Sequence, residues 1–230
     1  MKNVVIIHYN TPELTEATIK SLNKFTPGCK VYLLDNSDQR PFTAEFDNVE
    51  IIDNTKGQIV SWDEWVDSFK ERQESPGNNY GSAKHCYSID LMTDIVGDSF
   101  VHMDSDILLK QDISDFWDER CAFVGQVHSN VKRRAGVNVY RVIPFLCYIN
   151  VPMMRQAGFR YFDKDHMWDL QNYLPNSRYD TGAWFYHKCM EHGLPYRLAN
   201  IAVYMIHLGH GSWAGKDTLA WIDKFRYLYT

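Results

Sequence analysis

The feature that most constrains the fold is the alternation of short apolar runs with helical patterns in the first half of the chain. Residues 4–7 form a run of β-branched residues, and Thr11 and Pro12 supply the N-cap and first-turn signals of a helix that follows. Further apolar runs continue the pattern at residues 31–34, 49–52 and 99–103. Strands that alternate with helices predict βαβ units. We therefore predict an α/β fold with a mostly parallel central sheet and flanking helices.

Polar residues follow three of these predicted strands. The first strand leads into His8-Tyr9-Asn10-Thr11, the second ends on Asp35, and the run over 99–103 leads into Asp104-Ser105-Asp106. Ligands of open parallel sheets bind beyond the carboxyl ends of the strands. These residues are therefore the first candidates for a binding site.

The Asp-x-Asp segment has the most specific chemistry of the three. Two carboxylates two residues apart on an extended segment point the same way and can share a hard divalent cation. Such a cation, Mn²⁺ or Mg²⁺, would neutralise a diphosphate. Aspartates after strands also form local turn hydrogen bonds, and this applies equally to Asp35. The residues alone leave both interpretations open.

The second half of the chain has a less regular pattern. It predicts strands over 122–127 and 139–149 and helices over 151–157 and 181–192. No linker or repeat separates the halves, so we expect one domain over residues 1–230. Its two lobes would be residues 1–110 and residues 111–230.

Charge and the length of the apolar runs argue against a nucleic-acid-binding protein and against a membrane-spanning one. The 24 Lys and Arg residues against 29 Asp and Glu give a net charge of −5, which argues against nucleic acid as a partner. The apolar runs are far shorter than the roughly 20 residues that span a bilayer. Five cysteines without a CxxC pair predict reduced, packed thiols. We expect a cytoplasmic protein, with at most peripheral contact at the inner face of the membrane through residues 219–229.

Four segments carry a resemblance to a known family: VVIIHYNTPELTEATIKSL, VYLLDNSD, GSAKHCYSIDLM and SFVHMDSDILL. Their succession over residues 3–110 resembles the GT-A glycosyltransferases, particularly family 2 and related bacterial nucleotide-sugar transferases. The resemblance implies metal-dependent transfer of a sugar from a nucleotide-diphosphate sugar to a hydroxyl of a carbohydrate or glycolipid acceptor. It also implies that the lobe of residues 1–110 binds the donor and that of residues 111–230 binds the acceptor. A role in cell-surface polysaccharide or glycan synthesis follows from the same resemblance.

The resemblance implies roles for individual residues of the first half. Asp104 and Asp106 would bind the metal and the diphosphate, and Asp35 would contact the base or ribose. Lys84 and His85 precede the Asp-x-Asp strand and are either donor ligands or ordinary surface and core residues. The implied donor contacts are His8, Tyr9, Asn10, Thr11, Asp35, Lys84, His85 and Ser105.

In the second half the resemblance is looser. The segments YINVPMMRQAGFRYFD and SRYDTGAWFYHKCMEHG resemble acceptor-side segments. This implies Asp180 as the general base of an inverting transfer, although Tyr179 replaces the usual Glu. Asp180 also suits the N-cap of the predicted helix, and Asp163 and Asp165 are alternative bases.

The segment VYMIHLGHGSW places two histidines near the end of the chain. The resemblance implies His207 as a metal ligand and His210 as a phosphate contact. Trp168, Trp184 and Trp213 are candidates either for stacking on sugars or for packing.

Three other functions remain open from the sequence. A retaining transferase needs no general base, so Asp180 would orient the acceptor instead. A sugar nucleotidyltransferase normally has a Gly-rich basic loop after the first strand, which residues 8–12 lack. A non-catalytic carbohydrate-binding protein would explain the 7 Trp, 14 Tyr and 12 Phe but not the Asp-x-Asp segment.

Overall fold

In a computed structural model, the described part of the chain forms a central sheet of seven strands. The structure describes residues 2–60, 80–132, 137–163, 181–209 and 217–230. The strands of this sheet are β1 (Lys2–His8), β2 (Cys29–Asp35), β3 (Val49–Asp53), β4 (Phe100–Asp104), β6 (Phe123–Gly125), β9 (Leu146–Ile149) and β10 (Tyr196–Leu198). The remaining strands form two antiparallel pairs: β5 (Ile107–Leu109) with β11 (Met205–His207), and β7 (Val127–Lys132) with β8 (Val137–Val142).

Helices cover the sheet. The described α-helices are α1 (Pro12–Phe25), α2 (Tyr80–Val96), α3 (Val151–Gln156), α4 (Ala183–Glu191), α5 (Ile201–Tyr204) and α6 (Thr218–Lys224). Short 3-10 helices lie at Ser114–Phe116 and Arg226–Leu228.

The strand order is β10-β6-β9-β4-β1-β2-β3. Adjacent strands are parallel except for β9, which is antiparallel to both β4 and β6. The prediction of an α/β fold with a mostly parallel central sheet is therefore confirmed. Because β1 lies between β2 and β4, the carboxyl ends of all three strands meet at one edge, as the polar strand ends predicted.

Both faces of the sheet are buried, and β1 shows why. Its side chains alternate between the two faces, as in any strand. Val4 and Ile6 belong to the core under α1, whereas Val5 belongs to the core under α2 and α4. A strand buried on both sides needs a continuous apolar run, which is the pattern that residues 4–7 display.

Two predicted strands of the second half are each divided in the structure. The run over 122–127 is shared between β6, in the main sheet, and β7, in a separate hairpin. The run over 139–149 is likewise shared between β8 and β9, with a turn at Pro144 and Phe145 between them. Proline has no N–H to donate to a ladder, which explains the break.

The helix predicted from residue 181 begins at Ala183 instead, because Gly182 is its N-cap. Gly182 has a φ of 76°, and a Cβ atom there would lie 2.1 Å from the carbonyl oxygen of Val142. Only glycine tolerates this conformation and this close approach. Asp180 is therefore not the N-cap residue of α4.

The cysteines are packed as the sequence predicts. All five cysteines are buried free thiols, as predicted. Burial raises the pKa of Cys29 to about 11 and that of Cys189 to about 12. No helix in the described part of the chain combines the length and the apolar character needed to cross a bilayer.

Candidate metal and donor site

The candidate metal site lies at the carboxyl end of β4. Asp104 is the last residue of this strand, and its backbone N–H donates a 3.0 Å hydrogen bond to the carbonyl of Phe145. Ser105 and Asp106 form a turn that leads into β5, so the Asp-x-Asp segment is not extended as predicted. The N–H of Leu208 bonds the carbonyl of Asp106 at 3.0 Å, which ties this turn to β11.

His207 completes one side of this site. It ends β11 and pairs with Ile107, and this register brings its ring beside the carboxylate of Asp106. Its Nε2 lies 3.0 Å from Oδ1 of Asp106 and 3.9 Å from Oδ2 of Asp104. The ring of Phe145 packs on the imidazole, with centroids 3.9 Å apart. The structure thus brings together three residues that the sequence singled out as metal ligands.

The other side of Asp104 faces two more imidazoles. Nε2 of His102 lies 3.1 Å from Oδ1 of Asp104, and Nε2 of His85, on α2, lies 3.3 Å from the same oxygen. His102 is fully buried. Sequence reasoning had selected His85 and missed His102. The spacing of the two residues carries the signal for His102. His102 and Asp104 are two residues apart on one strand, so their side chains lie on the same face.

These imidazoles control the charge of Asp104. Burial by itself would raise the pKa of this carboxyl group. The charge interactions with His85, His102 and His207 outweigh burial, together with the hydrogen bond to His102, and they lower the pKa to about 2. Asp104 is consequently a carboxylate at neutral pH.

Asp104, Asp106 and His207 fit a divalent cation. One ligand atom from each can be chosen so that all three lie within 4.8 Å of one another. Two carboxylates with one imidazole form a donor set that suits Mn²⁺ or Mg²⁺, which prefer hard oxygen ligands. The low pKa of Asp104 means that an incoming cation displaces no proton from that residue.

The buried side chain of His8 anchors the start of the loop after β1. His8 is fully buried, with Nδ1 2.8 Å from Oγ1 of Thr15 and Nε2 3.3 Å from the carbonyl of Arg40. Burial lowers the pKa of His8, and the negative charge of Asp35 opposes this shift. His8 is therefore a packed residue beneath the loop, and its role toward a nucleoside stays a prediction.

Tyr9 and Asn10 follow His8 in the same loop and bond the loop after β2. Tyr9 is 39% exposed, and its hydroxyl donates a 3.3 Å hydrogen bond to Asp38. The side-chain NH₂ of Asn10 also donates to Asp38, and its oxygen accepts the backbone N–H groups of Gln39 and Arg40. Asn10 has a φ of 55°, a conformation that asparagine adopts more readily than most residues. These bonds join the loops after β1 and β2.

Asp35 is buried at the end of β2, and both of its oxygens already have partners. Oδ1 accepts the N–H of Ser37 at 2.9 Å, and Oδ2 accepts the N–H of Phe42 at 2.7 Å. The turn interpretation of this aspartate is thus realised in the structure. A contact with a base or ribose stays a prediction.

Some of the other predicted residues lie in the described part of the chain, and the rest lie outside it. Lys84, Ser105 and Asp163 are partly buried, and Thr11 is buried next to Pro12. Trp184 is buried against Val139, which favours the packing interpretation over sugar stacking. The following predicted residues lie outside the described ones: Asp165, Trp168, Asp180, His210 and Trp213.

Comparison with known proteins yields no match to a family model and none to a curated protein. Solved structures do match. The galactosyltransferase LgtC in complex with donor and acceptor sugar analogues has a TM-score of 0.51 at 13% identity, over 86% of this chain and 73% of that one. An active-site mutant of LgtC has a TM-score of 0.55 at 14% identity, with the same coverage.

Mouse xyloside xylosyltransferase 1 matches with a TM-score of 0.54 at 12% identity, over 87% of this chain and 85% of that one. At such identities the likeness concerns the fold. The protein therefore has a GT-A-like glycosyltransferase fold, as the resemblance of its first 110 residues implied.

Proposed function

We propose that this protein is a metal-dependent glycosyltransferase that moves a sugar from a nucleotide-diphosphate sugar to a hydroxyl group. The observation that carries the proposal is the convergence of Asp104, Asp106 and His207 at the carboxyl end of β4. A fold shared with solved glycosyltransferases supports it, since those structures have the same overall arrangement of strands and helices.

Asp104, Asp106 and His207 would hold the cation. When bound, Mn²⁺ or Mg²⁺ acts as a Lewis acid that stabilises the departing diphosphate. The net charge of −5 is compatible with an anionic donor, because a bound cation reverses the local charge.

The loop after β1 is well placed for the nucleoside. Ile7 pairs with Asp104 in the sheet, so the loop that begins after His8 lies next to the Asp-x-Asp turn. The exposed ring of Tyr9 offers a face for stacking, and Asn10 is held in position by Asp38. We propose that this loop binds the nucleoside while the turn binds the diphosphate.

We further propose an inverting transfer, with Asp180 as the general base that removes the proton of the acceptor hydroxyl. A retaining transfer is the alternative, in which Asp180 orients the acceptor. The anomeric configuration of the product, determined by NMR, distinguishes the two. Acceptors would be carbohydrates or glycolipids of cell-surface polysaccharide or glycan synthesis.

The test is a donor-hydrolysis and transfer screen over UDP-, GDP- and dTDP-sugars with Mn²⁺. We expect turnover of at least one donor by the wild-type protein and its loss in Asp106→Asn, because that change removes a carboxylate ligand. Asp47→Asn, at an exposed position on the loop before β3, is the matched control and should leave turnover unchanged. Undiminished turnover in Asp106→Asn would refute the proposal.

Calorimetry separates a transferase from a carbohydrate-binding protein. UDP or GDP should bind with a measurable heat in the presence of Mn²⁺ and much more weakly after chelation. A protein that binds only sugars would show no metal-dependent binding of either nucleotide.

A further inference from the structure

We propose a second metal site, formed by His85, His102 and Asp104, on the side of Asp104 that faces away from His207. It goes beyond the cation of the proposed transferase, because it uses different imidazoles and the other oxygen of Asp104. Its existence does not depend on the proposed function.

The three ligand atoms form a nearly regular triangle. Nε2 of His85 and Nε2 of His102 are 3.1 Å apart, and Oδ1 of Asp104 lies 3.3 Å and 3.1 Å from them respectively. In a tetrahedral zinc site with metal–ligand distances of about 2.0–2.1 Å, neighbouring ligands are separated by about 3.3–3.4 Å. The triangle has the size that one such ion requires.

Hydrogen bonds alone cannot satisfy this triangle. If both Nε2 atoms carry protons and donate to Asp104, the two N–H groups oppose each other across 3.1 Å. If one imidazole donates to the other, the accepting nitrogen has no proton for Asp104. In every protonation state at least one of the three close contacts is not a hydrogen bond. A cation between the three atoms makes all of them favourable.

Burial and ligand type indicate which ion would bind. His102 is fully buried, and its Nδ1 has no hydrogen-bond partner among the described residues, so the polar contacts of this ring run through Nε2. Two imidazoles and one carboxylate favour Zn²⁺ or Co²⁺ over Mg²⁺, which prefers oxygen ligands.

Asp104 would then serve two ions through its two oxygens. Oδ1 faces His85 and His102, whereas Oδ2 faces His207 at 3.9 Å. A carboxylate shared in this way is typical of paired metal sites. It also predicts that substitutions of different residues remove different ions.

The experiment is a metal titration of the full chain after chelation, with Co²⁺ as an absorption probe and Zn²⁺ counted by mass spectrometry. We expect two equivalents in the wild type, and one equivalent of Zn²⁺ retained against excess Mg²⁺. His85→Gln should bind one equivalent and lose the Co²⁺ absorption of a site with two imidazoles. Asp106→Asn should also bind one equivalent but keep that absorption, and Asp104→Asn should bind none.

His187→Gln, at a largely exposed position on α4, is the control and should bind two equivalents. Thermal melting checks that each variant is folded. A metal content and Co²⁺ absorption that are the same in His85→Gln as in the wild type would overturn the second site. The outcome also separates the two proposals, because a protein that binds two ions but turns over no donor contradicts only the transferase.

Discussion

Asp35 and Asp104 occupy equivalent places in the sheet and have opposite surroundings. Each is the last residue of a strand next to β1. The carboxylate of Asp35 accepts two backbone N–H groups from the loop that follows it. The carboxylate of Asp104 faces imidazoles from α2, β4 and β11.

The difference comes from the chain that follows each aspartate. After Asp35 the chain folds back, so that Ser37 and Phe42 present their N–H groups to the carboxylate. After Asp104 a short turn leads directly into β5, and besides His102 on the same strand the carboxylate meets His85 and His207 from distant parts of the chain. The same residue therefore organises a loop in one place and a candidate metal site in the other.

The largest expected effect distinguishes the two aspartates by metal binding. Asp104→Asn should lower Mn²⁺-dependent donor turnover by a factor of about 10³ or more, because metal stabilisation of developing charge is worth several kcal/mol. Asp35→Asn should still bind Mn²⁺ in a titration followed by electron paramagnetic resonance. Equal loss of Mn²⁺ binding in both variants would remove the contrast between them.

A smaller effect is expected on stability. In Asp35→Asn one accepting oxygen becomes an NH₂ group that opposes a backbone N–H, so the free energy of unfolding should fall by about 2–3 kcal/mol. Asp53, at the end of β3, is the matched control. It is exposed, and its Oδ1 accepts from the N–H and hydroxyl of Thr55. Urea denaturation should show a loss below about 1 kcal/mol for Asp53→Asn, and equal losses would contradict the prediction.

The smallest expected effect is a pH dependence at His8, which lies beneath the loop after β1. Because burial lowers its pKa, the unfolded chain binds a proton first as the pH falls below about 6.5, the ordinary value for histidine. The free energy of unfolding should therefore decrease as the pH falls from that value to the folded-state pKa. His8→Gln, which has no titratable ring, should show a shallower decrease in urea denaturation between pH 7 and 5. An unchanged slope would show that His8 contributes nothing to this dependence.

Much of the fold followed from the sequence alone. The apolar run of residues 4–7 predicted a strand, and the alternation with helices predicted the mostly parallel sheet that the structure contains. These features are local, since a strand buried on both sides needs consecutive apolar residues. The positions of Asp35 and Asp104 at the sheet edge followed in the same way.

Only the tertiary structure decided what each strand-end aspartate does. Asp35 and Asp104 each follow an apolar strand, but the donors to Asp35 come from the next seven residues, whereas His85 and His207 reach Asp104 from distant segments. His207 approaches Asp106 because β11 pairs with β5, about 100 residues away in the chain. His85 approaches Asp104 because α2 packs on the sheet. The sequence therefore determined which residues were available for chemistry, and long-range packing determined which of them form a site.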